Sequence, residues 1–164
     1  MQRKKFAKLT VVASLLLSSI IKPLWDRFAT GMSGYNAFIS ANRSAFQSNG
    51  IIDCEKVLMS RGRIVKPDIQ SATIAGTNLN VTISNPTYDR FGLPTDRLYV
   101  IGADAELKYF PCASITSTTR GTNPTQQVSV PLTGGNIGYT VEQIWVGYVR
   151  ADGSEVSTSG TYTL

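Results

Sequence analysis

The chain contains no histidine. That removes the commonest general base, the commonest metal ligand and every Ser-His or Cys-His nucleophile pair. Cysteine is nearly as scarce. Cys54 and Cys112 are too few for a disulfide framework or a four-thiolate zinc site, and the simplest reading is two buried free thiols, which behave as small hydrophobes. No acidic residue precedes Asp26. The longest apolar run, LTVVASLLLSSII at 9–21, falls short of the roughly 20 residues that span a bilayer. Walker and dinucleotide fingerprints are missing too; Arg61-Gly62 and Gly134-Gly135 are turn chemistry.

Charge is distributed unevenly. Arg3, Lys4, Lys5, Lys8, Lys22 and Arg27, set against Asp26, account for the whole formal net charge of +5, because the remainder of the chain carries equal numbers of acids and bases. A basic end followed by an apolar segment is the pattern of an export signal. It is equally the pattern of a helix that touches a membrane or a partner. The signal reading lacks cleavage chemistry: Lys22, Pro23, Leu24 and Trp25 follow the apolar run directly, and the nearest small-x-small triplet is Ala29-Thr30-Gly31.

The periodicity of the first third is helical. Phe6, Leu9, Val12, Leu16 and Ile20 recur at spacings of three and four, and Pro23 is expected to break or kink the run. Leu24, Trp25, Phe28 and Met32 continue the spacing to Gly31. Ser33 is placed as the N-cap of a third helix carrying Tyr35, Phe38, Ile39, Asn42 and Phe46, which Asn49-Gly50 closes. Residues 1–50 therefore form a helical arm or hairpin.

From residue 51 the period becomes two. Strands are expected near 56–60, 69–75, 79–84, 97–103, 106–111, 126–131, 141–150 and 155–163, with Asp152-Gly153 as the turn of a hairpin. Leu98 and Val100 face one way, Tyr99 and Ile101 the other. Short strands without intervening helices predict an antiparallel β-sandwich of immunoglobulin or fibronectin type III kind over 51–164, giving an α+β chain. Tyr139 is either a tyrosine corner or a buried aromatic with no special role. Ser114–Thr125 is assigned to an exposed loop.

Little in the chain carries chemistry. Asp53 with Glu55, Asp104 with Glu106 and Asp152 with Glu155 are paired along the chain, but acidic residues beside turns are mostly solvated. Arg61, Arg63 and Lys66 form a small basic patch without neighbouring aromatics, the usual protection of an edge strand. No catalytic residue, cofactor or metal site is expected. The cluster that rises above background is N-terminal: Arg3, Lys4, Lys5 and Lys8 as contacts to phosphate or a partner, with Phe6, Leu9, Val12, Leu16, Ile20 and Trp25 as an apolar docking face. Four cations at a helix start oppose the macrodipole and so are not there for helix stability.

Four segments carry a resemblance: QRKKFAKLTVVASLLLSSIIKPL (2–24), GMSGYNAFISANRSAF (31–46), KVLMSRG (56–62) and IWVGYVRADGSEVSTSGTYTL (144–164). In order and spacing the chain resembles an uncharacterised Bacteroidota family, domain of unknown function 6266. In that family the equivalent of 2–24 follows a Gly-rich basic leader, which this sequence lacks. The resemblance implies a structural helix at 2–24, no catalytic residues to carry over, and a setting in bacterial genomes and their prophages or phages. The expected function is a non-catalytic structural protein of a bacteriophage virion, assembled in the bacterial cytoplasm. Its partners are other structural subunits in a homo- or hetero-oligomer, with nucleic acid or an anionic membrane as further surfaces for the basic end. The alternative is a periplasmic or secreted adhesion-type sandwich with 1–21 as export signal.

Overall fold

A computed structural model describes residues 2–133 and 140–164. The earlier readings of Gly134-Gly135 and Tyr139 lie outside the described residues. The chain opens with α1 (Gln2–Leu15), a π turn (Leu17–Ile21), α2 (Lys22–Trp25) and α3 (Gly34–Asn42). Seven strands follow among the described residues: β1 (Asp68–Ala75), β2 (Asn78–Ser84), β3 (Arg97–Ala103), β4 (Cys112–Thr119), β5 (Thr125–Pro131), β6 (Gln143–Val149) and β7 (Gly160–Thr163). They form two antiparallel sheets, one ordered β1-β2-β5 and the other β4-β3-β6-β7. The chain is thus α+β, a helical N-terminal part followed by two sheets.

The four-stranded sheet sits in the middle. Leu98, Val100, Ile144, Val146 and Tyr148 pack on Leu79, Val81, Ile83, Val128 and Val130 of the other sheet. Tyr99, Ile101, Ala103, Trp145 and Val149, on the opposite face, pack on the helices. Both central strands, β3 and β6, are buried on both faces. Side-chain alternation in a strand explains the division, and the two-way alternation expected at 98–101 is observed.

This placement corrects the idea of a free arm. Leu9, Val12, Leu16, Ile20 and Trp25 are buried in the chain's own core. The stripe expected to dock on a neighbour is filled by the chain's own sheet, and Phe6 alone of the six stays exposed. The bend also falls earlier than Pro23. Ile21 N–H donates to Leu16 O at 2.9 Å in the π turn, and the helical axes on either side differ by 66°. Pro23 sits in the first turn of α2, where a missing N–H costs nothing. The Ser33 cap is formed as expected, accepting from Asn36 N–H at 3.3 Å. The third helix, however, ends at Asn42, and Phe46 instead bridges to Ile52.

The strand expected near 56–60 is not one. Cys54–Lys56 is a 3₁₀ turn, and residues 57–60 run as a strap between helices and sheet, bonded to side chains and to a loop instead of a strand ladder. Trp25 Nε1 donates to Met59 O at 2.8 Å, and Trp145 Nε1 to Val57 O at 3.1 Å. Asn42 Nδ2 donates to Leu58 O at 2.9 Å, while its Oδ1 accepts from Leu58 N–H at 2.6 Å. Ser159 Oγ accepts from Met59 N–H at 3.0 Å. Buried backbone polar groups must be paired, and here these side chains take over from a partner strand.

Two further strand boundaries move. Residues 106–111 form a turn, with Leu107 at φ 54° and Asp104 Oδ1 accepting from the N–H groups of Lys108 and Tyr109, both at 2.8 Å. The strand comes later, at Cys112–Thr119, and takes up the first half of the stretch expected as a loop, Ser114–Thr125. It is a sheet edge, where polar Ser and Thr are tolerated on a half-buried strand. Past the Asp152-Gly153 turn, where Gly153 N–H donates to Arg150 O at 2.8 Å and φ is 72°, Val156 only bridges to Val149 before β7 resumes at Gly160.

One end of the sandwich is held by two ion pairs. Arg120 Nη1 lies 2.5 Å from Asp89 Oδ2, and Arg150 Nε lies 3.0 Å from Asp96 Oδ1. Both carboxylates are buried within the β2–β3 connection. Burial works to raise the Asp89 pKa, but the Arg120 guanidinium and the N–H groups of Phe91, Val65 and Gly92 outweigh it and hold it below the ordinary value. A carboxyl depressed on folding adds stability above its unfolded pKa and loses it as pH falls through the folded one.

Two outcomes are expected in urea denaturation. Leu16→Ala lowers the unfolding free energy by about 2–5 kcal/mol, whereas Val11→Ala, on the solvent side of α1, changes it by less than about 0.5 kcal/mol. Asp89→Asn costs about 3–5 kcal/mol at neutral pH, since it leaves Arg120 buried and unpaired, and it flattens the loss of stability below the ordinary carboxylate range.

Candidate functional site

The basic cluster lies on the first two turns of α1. No acidic residue occupies that first turn, so the cations face the positive end of the helix dipole uncompensated. Arg3 and Lys4 are exposed, and Lys5 and Lys8 are half-buried. Their surroundings differ. Lys8 Nζ donates to Gly50 O at 3.1 Å, which ties α1 to the tight turn after α3. Arg3 and Lys5 make no ion pair among the described residues.

Arg3 and Lys5 instead flank a groove of about 540 Å³ between the start of α1 and the segment following α3. Phe6 and Leu9 provide its apolar floor, and Arg43 and Ser48 close the far side. Arg43 has no ion pair among the described residues either. The groove therefore gathers three cations without ion pairs over an apolar surface, with no carboxylate among the described residues of its lining. Arg43 and Ser48 were not among the residues singled out in the sequence. The signal for Arg43 was its isolation: it is the sole cation between Arg27 and Lys56, and it ends a helix whose apolar face packs on α1.

A second surface belongs to the same helix. Leu9, Val12 and Ala13 of α1 are buried, as is Leu16 just beyond it, yet on the opposite side Val11 is 56% and Leu15 51% exposed. The uncovered side of α1 thus presents two large apolar side chains among Lys4, Ala7 and Ser14.

The acidic pairs of the sequence are dispersed into local structural tasks. Asp104 caps the 104–109 turn, and Glu106 pairs with Lys108 at 2.6 Å, which lowers its pKa. Asp53 pairs with Lys56 at 2.6 Å. Asp152 accepts from Ser154 and is lowered by that contact, while Glu155 pairs with Arg63. General acids at neutral pH need raised carboxyls, and these three shifted carboxyls, Asp89, Glu106 and Asp152, move the other way. Among the described residues no three His, Cys, Asp or Glu side chains converge as a metal site. The Arg61–Lys66 patch does meet an aromatic: Arg63 lies over the Phe91 ring at 4.7 Å, brought in by the β2–β3 connection from outside the reach of local sequence. Both cysteines are free. Burial first, then the charges of Asp53 and Asp104, push the Cys54 thiol up to about 11, the reverse of an activated nucleophile.

Compared with known proteins, the chain matches a family of unknown function, DUF6266, over residues 1–163, and it belongs to that family. The match takes in the helical layer as well as both sheets. No curated protein matches the chain.

Labelling by a thiol reagent tests the cysteine assignment. Cys54 is expected to react slowly at pH 7.5 and to accelerate steadily as pH rises toward about 11, and Asp53→Asn shifts that rise to lower pH. A fast phase at neutral pH would overturn it.

Proposed function

We propose, starting from membership of that family, that the chain is a non-catalytic structural protein of a bacteriophage virion, assembled in the bacterial cytoplasm, which docks on neighbouring subunits through the solvent face of α1. The observation that carries this reading is the exposed apolar pair Val11 and Leu15 on the uncovered side of α1. A surface helix normally presents a polar face to water, but here Val11 and Leu15 are left half exposed on a helix without a single acid. Each large side chain newly buried against a neighbour contributes roughly 1.5–3 kcal/mol, and the uncompensated cations at the helix start favour an acidic contact beside it. The non-catalytic reading is supported by the use of the acidic pairs as turn caps and ion pairs.

The fold supports a finer kinship. What supports it is the strand order: a three-stranded β1-β2-β5 sheet facing a four-stranded β4-β3-β6-β7 sheet, all antiparallel, is an arrangement expected of immunoglobulin and fibronectin type III sandwiches. We read the sheets as that kind.

The secreted adhesion reading fares worse. Removing residues 1–21 as an export signal would strip Leu9, Val12, Leu16 and Ile20 from the core and uncover Tyr99, Ile101 and Trp145. A domain of this size does not tolerate that loss.

Sedimentation of the purified full chain, alone and with its co-expressed neighbours, tests the docking face. Association is expected, weakening as salt rises, and Val11→Glu with Leu15→Glu should abolish it while the circular dichroism spectrum stays unchanged. A chain that remains monomeric at high concentration and binds no neighbour, with or without these substitutions, refutes the proposal.

A further inference from the structure

We propose that the groove between α1 and the segment after α3 binds a small amphiphile with a phosphate monoester head and an aliphatic body. This goes beyond the docking reading: it shares the cations of the helix start with that surface, but its apolar part is Phe6, beside Arg43, and not Val11 and Leu15.

Three observations carry it. The first is size: about 540 Å³ falls within the roughly 300–1,000 Å³ of small-molecule sites, which are mostly apolar with a few placed charges. The second is charge. Arg3, Lys5 and Arg43 line one groove, and no ion pair compensates any of them among the described residues. Three cations held around a common space repel one another, and a bound anion relieves that repulsion. A phosphate monoester carries about −1.5 to −2 at neutral pH and three acceptor oxygens, a closer match to three cations than a single carboxylate. Arginine forks also bind phosphate through two parallel N–H bonds, and Ser48 supplies a hydroxyl on the same wall.

The third is the floor. Phe6, 53% exposed, and exposed Ala7 place an apolar surface beside the cations, with Leu9 buried beneath. A single-stranded nucleic acid would use successive aromatic platforms along a charged track. Here one ring stands beside aliphatic side chains, so the groove suits a hydrocarbon body better than a run of bases.

Isothermal titration with the full chain tests the assignment, using octyl phosphate as probe. Saturable one-site binding is expected, and Lys5→Gln and Arg43→Gln should each weaken it about tenfold, the loss of one charge-assisted hydrogen bond. Phe6→Ala should weaken octyl phosphate but leave inorganic phosphate unchanged. Val11→Glu should leave binding intact, which separates this site from the docking face: it stands if docking fails, and docking stands if it fails. Binding of inorganic phosphate as tight as that of octyl phosphate would overturn it in favour of a plain anion site. Equal binding of octyltrimethylammonium, insensitive to Arg43→Gln, would reduce it to apolar adhesion. Displacement of octyl phosphate by a short oligothymidylate at lower concentration would assign the groove to nucleic acid instead.

Discussion

The four-stranded sheet is apolar on both faces, and the architecture follows from the need to cover the second one. One face is covered by the β1-β2-β5 sheet, as in any sandwich. The other presents Tyr99, Ile101 and Trp145, and left in water it would expose a large apolar patch. The helices and the 57–60 strap supply the cover. The strap itself has no strand to pair with, so its carbonyls and amides are taken up by Trp25, Trp145, Asn42 and Ser159. Each indole both fills the layer and satisfies a carbonyl. Trp25 also meets Phe38 edge-on at 5.6 Å between ring centres, so helix, strap and sheet are joined through two side chains.

Close packing of this layer explains one glycine. A Cβ at Gly147 would collide with the Tyr99 hydroxyl, which is bonded to Ser60 Oγ at 2.5 Å. Ser60 in turn donates to Ser157 O at 2.6 Å. The tyrosine crosses over its neighbouring strand to reach the strap, and only a residue without a side chain leaves it room. Burial holds the Tyr99 hydroxyl protonated well above its ordinary pKa, so it remains a donor at any pH the protein meets.

Local pattern was a good guide where burial is one-sided or complete. β1, β2, β3, β5 and β6 lie within a residue or two of their expected places because alternation or an unbroken apolar run marked them. The continuous runs LYVIGA and IWVGYV belong to strands buried on both faces, yet the helical cover this requires is not what the local pattern predicts, which is an arm that docks on neighbours. β4 was illegible because an edge strand of Ser and Thr has the composition of a loop. The strap looks like a strand in sequence because KVLMS is a short apolar run, while its hydrogen-bond partners are remote side chains that no local window contains. At the basic end Arg3, Lys4, Lys5 and Lys8 were legible as a charge run. Arg43 and Ser48 join them only through the packing of α3 on α1, which is a tertiary fact.

The order of synthesis sets a timing problem for the covering layer. Leu16 leaves the ribosome first, but Trp145, in the layer it helps to cover, is made almost at the end of the chain. At about 5–20 residues per second the intervening stretch takes roughly 6–26 s, far longer than collapse or helix formation. Throughout that interval the apolar stripe of α1 has only the neighbouring helices to rest on, without the sheet that completes its cover. The nascent protein therefore passes through a sticky, chaperone-accessible stage whose length is dictated by layer order, and the last strands to appear are the ones that end it.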